Sequence, residues 1–238
     1  MKLSFFSQRV DVFSKYAITC MLSTTLTLSF IPNSVAEISH DSDSKIEQAS
    51  VSPNESEVKT DLIRKLSQIQ YINAEFTQVV VNDLGEVLQE GQGKIAISKP
   101  DLVNWHTTAP DETLIISNGN KLWFYDPFIE QVSLYSFEKS IANTPVLLLT
   151  SENPTLWNDF EVSKNKSNQY LIKSLNTESQ IKSLTLTFIN QKLDQLSIID
   201  STGQTSHIQL LNVDFASKPN DALFNFIVPE GVMIDDQR

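Results

Sequence analysis

Cysteine is almost missing from this 238-residue sequence. The single one, Cys20, cannot close an internal disulfide, and no zinc-finger spacing is possible. Histidine is nearly as scarce. His40, His106 and His207 stand far apart and offer little material for a metal centre. Six glycines and nine prolines are too few for a fibrous or low-complexity chain. Basic charge is in deficit, 18 Lys+Arg against 29 Asp+Glu, and the net charge of −11 excludes electrostatic tracking along nucleic acid. What is present is a 40% hydrophobic fraction, enough for a real core in one large domain or two small ones.

The first 36 residues stand apart. Lys2, Arg9 and Lys15, offset by Asp11, form a basic stretch. Tyr16 to Ile31 is mostly apolar but broken by Thr and Ser, and Ser34-Val35-Ala36 is a small-x-small site. This pattern predicts a secretory signal peptide over residues 1–36, cut after Ala36. A membrane anchor is the rival reading, against which the apolar stretch is short and studded with hydroxyls. Ala17-Ile18-Thr19 before Cys20 is not a lipobox, so acylation there is not expected. Cleavage leaves 15 Lys+Arg against 28 Asp+Glu, a net charge of −13, and no cysteine. Such a product must rely on its core for stability, and its charge keeps it soluble and off anionic lipid.

Residues 37–57 are rich in Ser, Glu and Asp, contain Pro53 and show no apolar period, which predicts a disordered acidic extension. The folded domain is then expected over 58–238. Val58, Leu62, Leu66 and Ile69 recur at helical spacing, widened by Ile63, so Val58 to Gln70 reads as an amphipathic helix. From Ile72 the period becomes two. Strands are predicted at Ile72–Val81, Val87–Ser98, Leu102–Thr107, Thr113–Ser117, Leu122–Tyr125 and Glu130–Phe137. Asn82-Asp83-Leu84-Gly85 and Asn118-Gly119-Asn120 are hairpin turns, and Gly91 with Gly93 suggests a bulge or bend. Glu138 to Thr150 interrupts the series as a helical insertion, and Asn153 to Trp157 starts another short helix. Strands resume at Phe160–Ser163, Tyr170–Ser174, Lys182–Ile189, Gln195–Asp200, Ser206–Phe215 and Phe224–Val228. About eleven strands with a leading helix and a helical insertion describe a mainly β fold. An antiparallel sheet this long must curl strongly to bury a face, with the short helices covering it.

Several catalytic patterns dissolve on inspection. Gly91-Gln92-Gly93-Lys94-Ile95-Ala96 resembles a degenerate dinucleotide fingerprint, but a β pattern follows where a helix N-terminus is required. Ser136-x-x-Lys139 and Ser179-x-x-Lys182 lack the companion elements of an acyl-transfer site. His106 and His207 have no nucleophile elbow, and Asp111-Glu112 and Asp235-Asp236 read as solvated carboxylates. No cofactor or metal is called for.

The strands are rich in large side chains, and Val146-Leu147-Leu148-Leu149 is more apolar than a surface helix needs. Two readings stay open at this level. The side chains fill a solid core, or the apolar insertion caps a curved sheet over a ligand cavity.

Several segments come in register and resemble one family. They are Glu90-Gly-Gln-Gly-Lys94, Lys99-Pro-Asp-Leu-Val-Asn-Trp-His106, Pro110-Asp-Glu112, Ser117-Asn-Gly119, Leu122-Trp-Phe-Tyr-Asp-Pro-Phe128, Glu130-Gln-Val132, Asn143-Thr-Pro145 and Gly231-Val-Met-Ile-Asp-Asp-Gln-Arg238. Over about Leu62 to Arg238 they resemble the LolA family of outer-membrane lipoprotein carriers. That resemblance implies an incomplete β-barrel with a helical lid enclosing an apolar cavity. It also implies a non-enzymatic periplasmic monomer that takes acylated lipoproteins from an inner-membrane ABC transporter and delivers them to an outer-membrane receptor lipoprotein. Cavity and lid residues are then expected among Leu62, Leu66, Phe76, Val103, Trp105, Trp123, Tyr125, Val146, Leu147 and Leu148. The family commonly carries an Arg that bonds lid backbone groups where this chain has Lys99, which keeps the charge but loses the planar fork. Val103 stands where an aromatic is often found. A lipoprotein receptor or an envelope-stress regulator of the same fold is the alternative within this class. The receptor needs a lipobox, and the regulator a second domain. A periplasmic hydrolase is the alternative outside it.

Overall fold

The computed structural model describes residues 55–141 and 144–238. The expected signal peptide, its cleavage site and residues 37–54 of the acidic leader lie outside them. Helix α1 (Glu55–Ser67) buries Val58, Leu62 and Leu66, one stripe at intervals of four. It starts before the apolar stripe does. Glu55 and Glu57 occupy its first turn and Arg64 and Lys65 its last, which suits the helix dipole at both ends. Glu55–Glu57 are therefore helical, not part of a disordered leader. The helix stops short of Gln70 because the amides of Gln68 and Ile69 bond back three residues, to Lys65 and Leu66, and tighten the end.

Strands β1 (Tyr71–Val81), β2 (Val87–Ser98), β3 (Leu102–Ala109), β4 (Thr113–Asn118), β5 (Lys121–Asp126) and β6 (Gln131–Ser136) follow as a meander. Helix α2 (Phe137–Ile141) and two 3-10 helices, Pro145–Leu149 and Pro154–Asp159, form the insertion. Then come β7 (Phe160–Lys164), β8 (Gln169–Ser174), β9 (Ile181–Ile189), β10 (Lys192–Asp200), β11 (Thr205–Asp214) and β12 (Met233–Asp236). All twelve make one curved sheet in the order β12-β6-β5-β4-β3-β2-β1-β11-β10-β9-β8-β7. Neighbours are antiparallel except β12, which runs parallel to β6. β7 and β12 are its two ends, so the sheet is open.

Antiparallel partners share a face, and the register shows which. Ile72, Ile97, Val103 and Leu122 form one inner row across β1, β2, β3 and, past Ser117, β5. Ala74, Ile95 and Trp105 form the next. Phe76 packs on Trp105 with ring centroids 4.9 Å apart. Gly93 lies beneath this pair, where an added Cβ would meet the His106 carbonyl oxygen at 2.1 Å and the Phe76 ring at 2.7 Å. The expected irregularity is here as well: the β2–β3 register shifts between Gln92 and Gly93.

One expectation at the C-terminal end needs correction. Phe224–Val228 is not a strand. Asn220 caps a 3-10 turn, Asp221–Phe224, and residues 225–228 pair with no strand. Its alternation is real burial without β pairing: Phe224 is buried and Phe226 packs on rings of β5 across the sheet's outer face. The true terminal strand is the four-residue β12, whose Met233 and Ile234 are exposed and give no burial pattern to read.

Candidate functional site

The inner face of the sheet is roofed by α1 and the insertion. Leu62 and Leu66 of α1, Val146, Leu147 and Leu148 of the insertion, and Phe76, Val103 and Trp105 of the sheet all belong to one apolar cluster. Leu147 and Leu148 are 0% and 1% exposed, so the apolar run does face inward. Trp157, which the sequence reading left out of the site, is buried in the same cluster. An aromatic just after Asn153-Pro154, a cap and helix-start pair, was the available signal: Asn153 caps that 3-10 helix by accepting from the Thr155 amide.

Trp123 and Tyr125 are elsewhere. In β5 the inward positions are Leu122 and Phe124, and the alternation turns Trp123 and Tyr125 to the outer face. There their rings lie 6.0 and 5.5 Å from Phe226, under the C-terminal segment. They hold that segment down and do not line the interior.

Lys99, at the β2–β3 connection, reaches α1. Its Nζ donates to the Leu66 carbonyl at 2.5 Å. That carbonyl is one of the helix's C-terminal acceptors, where a cation is favoured. The latch therefore holds α1 and not the carbonyls of Val146–Leu149. The insertion has its own tie: the Asp101 amide donates to the Thr150 carbonyl at 3.2 Å, and the Ser117 hydroxyl to the Asp101 carbonyl at 2.7 Å. Burial pushes the Lys99 ammonium below its ordinary pKa, against the pull of Glu152 and then Asp101. Burial likewise raises the Asp101 carboxyl, opposed by a hydrogen bond from Ser151. One short loop thus anchors both halves of the roof.

The far side of α1 is fixed by Asp61. Its carboxylate accepts from the Tyr170 hydroxyl, pairs with Arg64 at 2.5 Å and lies 3.5 Å from Lys164. Lys164 also sits over the Tyr170 ring. The Tyr170 hydrogen bond first, with Arg64 and Lys164 adding to it, holds Asp61 below the usual carboxylate range despite some burial. A lowered folded pKa adds stability above the unfolded carboxylate pKa of about 3.9, and that stability is lost as pH falls through the folded value. Asp61→Asn should therefore lower the urea midpoint at neutral pH, with the gap to the parent closing below about pH 4. A gap of equal size at both pH values would show that Asp61 acts through shape alone.

The remaining polar candidates do not converge. His106 pairs with Glu112 at 2.8 Å in an exposed position, and His207 lies 3.2 Å from Ser197 on the surface. Among the described residues no group of three or more His, Cys, Asp or Glu side chains could hold a metal ion. Among them, too, no helix is long and apolar enough to cross a membrane.

The family model for outer membrane lipoprotein carrier protein LolA matches residues 67–227. An outer-membrane lipoprotein carrier protein of Shewanella amazonensis is 36% identical over 178 residues, 75% of this chain and 88% of that protein. One from Aliivibrio fischeri is 38% identical over 182 residues, 76% of this chain and 90% of its own length. One from Proteus mirabilis is 36% identical over 184 residues, again 76% and 90%. With its rolled sheet, its apolar inner face and a roof tied down at Lys99 and Asp101, this chain belongs to the LolA family of outer-membrane lipoprotein carrier proteins.

Proposed function

We propose that this protein is a periplasmic lipoprotein carrier, exported by residues 1–36. It takes acylated lipoproteins released by an inner-membrane ABC transporter, shelters their acyl chains against the inner face of its sheet, and passes them to an outer-membrane receptor lipoprotein. It acts as a monomer and does no covalent chemistry on its cargo. The observation that carries this reading is an apolar interior covered by helical segments, α1 and the insertion, that a few polar contacts at Lys99, Asp101 and Asp61 hold down. A roof attached that way can lift without unfolding the sheet beneath it.

The physical need is plain. Each buried methylene is worth about 0.8 kcal/mol, so several acyl chains leave a bilayer or cross water far too slowly unaided. An apolar interior replaces the bilayer during the crossing, and closure of the roof competes with the cargo and assists its release. The chain from Glu37 onward, incubated with a triacylated lipoprotein as detergent is removed, should yield a soluble stoichiometric complex whose acyl groups keep their mass. Cargo that precipitates regardless would sink the carrier reading. Cargo returned shortened would favour a hydrolase instead.

A further inference from the structure

A cleft of about 190 Å³ opens beside Lys99, between the C-terminal half of α1 and the segment from Leu148 to Trp157. Its deep wall is apolar: Leu66, Leu148 and Trp157, all buried, with Ile63 beside them. Its rim is polar: Ser67, Lys99, Ser151, Glu152 and Asn153. Leu66, Leu148 and Trp157 are also members of the interior cluster, so the deep wall of this cleft is continuous with the apolar interior under the roof.

The dimensions and charges select a ligand. The cleft is smaller than the 300–1,000 Å³ or so of an ordinary small-molecule site, too little for a set of acyl chains but suited to a short linking group. Lys99 carries three N–H donors, and the Leu66 carbonyl takes one. Glu152 lines the same rim and Asp101 stands two residues along the chain from Lys99, so the cleft's one cation already has two acidic neighbours. A third anion, whether a fatty carboxylate or a phosphate, would be repelled. Neutral carbonyl oxygens would be accepted, because they take hydrogen bonds from Lys99 without adding charge.

We propose that this cleft is a headgroup subsite: it holds the glyceryl-ester and N-acyl amide carbonyls of an acylated amino-terminal cysteine while the chains run inward past Leu66 and Leu148. The proposal rests on the carrier reading and adds to it the place and chemistry of the cargo's polar linkage. It also gives the roof a seam that opens where the cargo's neutral head and apolar tails part company.

The chain from Glu37 onward contains no cysteine, so a single introduced thiol reports cleanly. The test labels Ser151→Cys with a polar maleimide, alone and loaded with a synthetic triacylated lipopeptide whose binding is followed by co-elution. Thr202→Cys, in the exposed β10–β11 turn, serves as the reference. The expected result is severalfold slower labelling of Ser151→Cys on loading, with Thr202→Cys unchanged, and little protection by palmitate at equal occupancy. A lipopeptide bearing a diazirine beside its glyceryl group should crosslink to Ser67 or to 151–157, and one bearing it at the chain end to the inner strands. Binding without protection at Ser151→Cys, or head-group crosslinks to the inner strands, overturns the subsite and leaves the carrier reading intact. Equal protection by palmitate overturns the assignment to neutral carbonyls. No lipopeptide binding by the parent chain defeats the carrier reading, and the subsite with it.

Discussion

Leu148→Glu should abolish measurable lipoprotein uptake, the largest loss expected from any single change in the roof. Leu148 is buried in the interior cluster and also walls the cleft beside Lys99, so its side chain meets whatever enters by either route. A carboxylate there lies in an apolar wall, the cleft's one cation, Lys99, is already engaged by the Leu66 carbonyl, and a poorly paired buried charge costs several kcal/mol. The chain can relieve that cost by protonating the glutamate or by swinging the insertion out. Protonation leaves a polar acid against acyl chains, and opening removes the insertion's share of the wall. Both routes oppose loading. Because the substitution also weakens the fold, Leu148→Met is the companion: a volume-conserving swap costs less than about 1.5 kcal/mol and should keep uptake near the parental level. Uptake is to be measured at a temperature where circular dichroism shows both variants folded. A folded Leu148→Glu protein that loads normally would show that the acyl chains never touch this wall.

Much of this architecture was legible in the chain. The stripe of Val58, Leu62 and Leu66 marks α1, and the alternation of Ile72, Ala74 and Phe76 with Asn73, Glu75 and Thr77 marks β1. The turn at Asn118-Gly119-Asn120 is legible for a local reason: Gly119 sits at φ 87°, a conformation that glycine alone adopts freely. What could not be read is which face of β5 points inward. The inner face there carries Leu122 and Phe124, and the outer face Trp123 and Tyr125, because the C-terminal segment covers the outer side with Phe226. A strand apolar on both faces gives no period with which to choose. The same segment explains the misreading of Phe224–Val228: its burial comes from lying across strands and not from pairing with them. Lys99 was readable as a latch only through family resemblance, and its actual partner, the Leu66 carbonyl, lies 33 positions away in sequence. The roles of Trp157 and Asp101 depend on contacts that local spacing cannot encode.

Lys99→Leu should produce a carrier that loads readily and unloads poorly. The bond from its Nζ to the Leu66 carbonyl is charge-assisted, and such a contact contributes about 1.5–3 kcal/mol. Its removal does not orphan the carbonyl, which still accepts from the Ile69 amide at 3.1 Å, so α1 should stay helical. The loss falls instead on the closed arrangement of the roof. Burial already disfavours the Lys99 ammonium, so leucine recovers part of the lost free energy and the net effect lies toward the lower bound. Every 1.4 kcal/mol or so is a tenfold change in an equilibrium constant, so the balance between closed and open roof should move by about one decade toward open. Closure and cargo compete for the same interior, and a ligand can shift the equilibrium only through its different affinity for the two states. Weakening closure therefore raises apparent affinity for lipoprotein, by less than that factor because the variant also loses the Lys99 hydrogen bonds to the cargo's carbonyls, and slows its delivery to the receptor. Lys99→Arg should move both quantities the other way, since the planar fork offers more donors in a fixed geometry to the end of α1. The measurement is a two-stage assay in which loading from donor vesicles and handover to purified receptor are timed separately. Handover by Lys99→Leu at the parental rate would show that the Lys99 contact does not govern release.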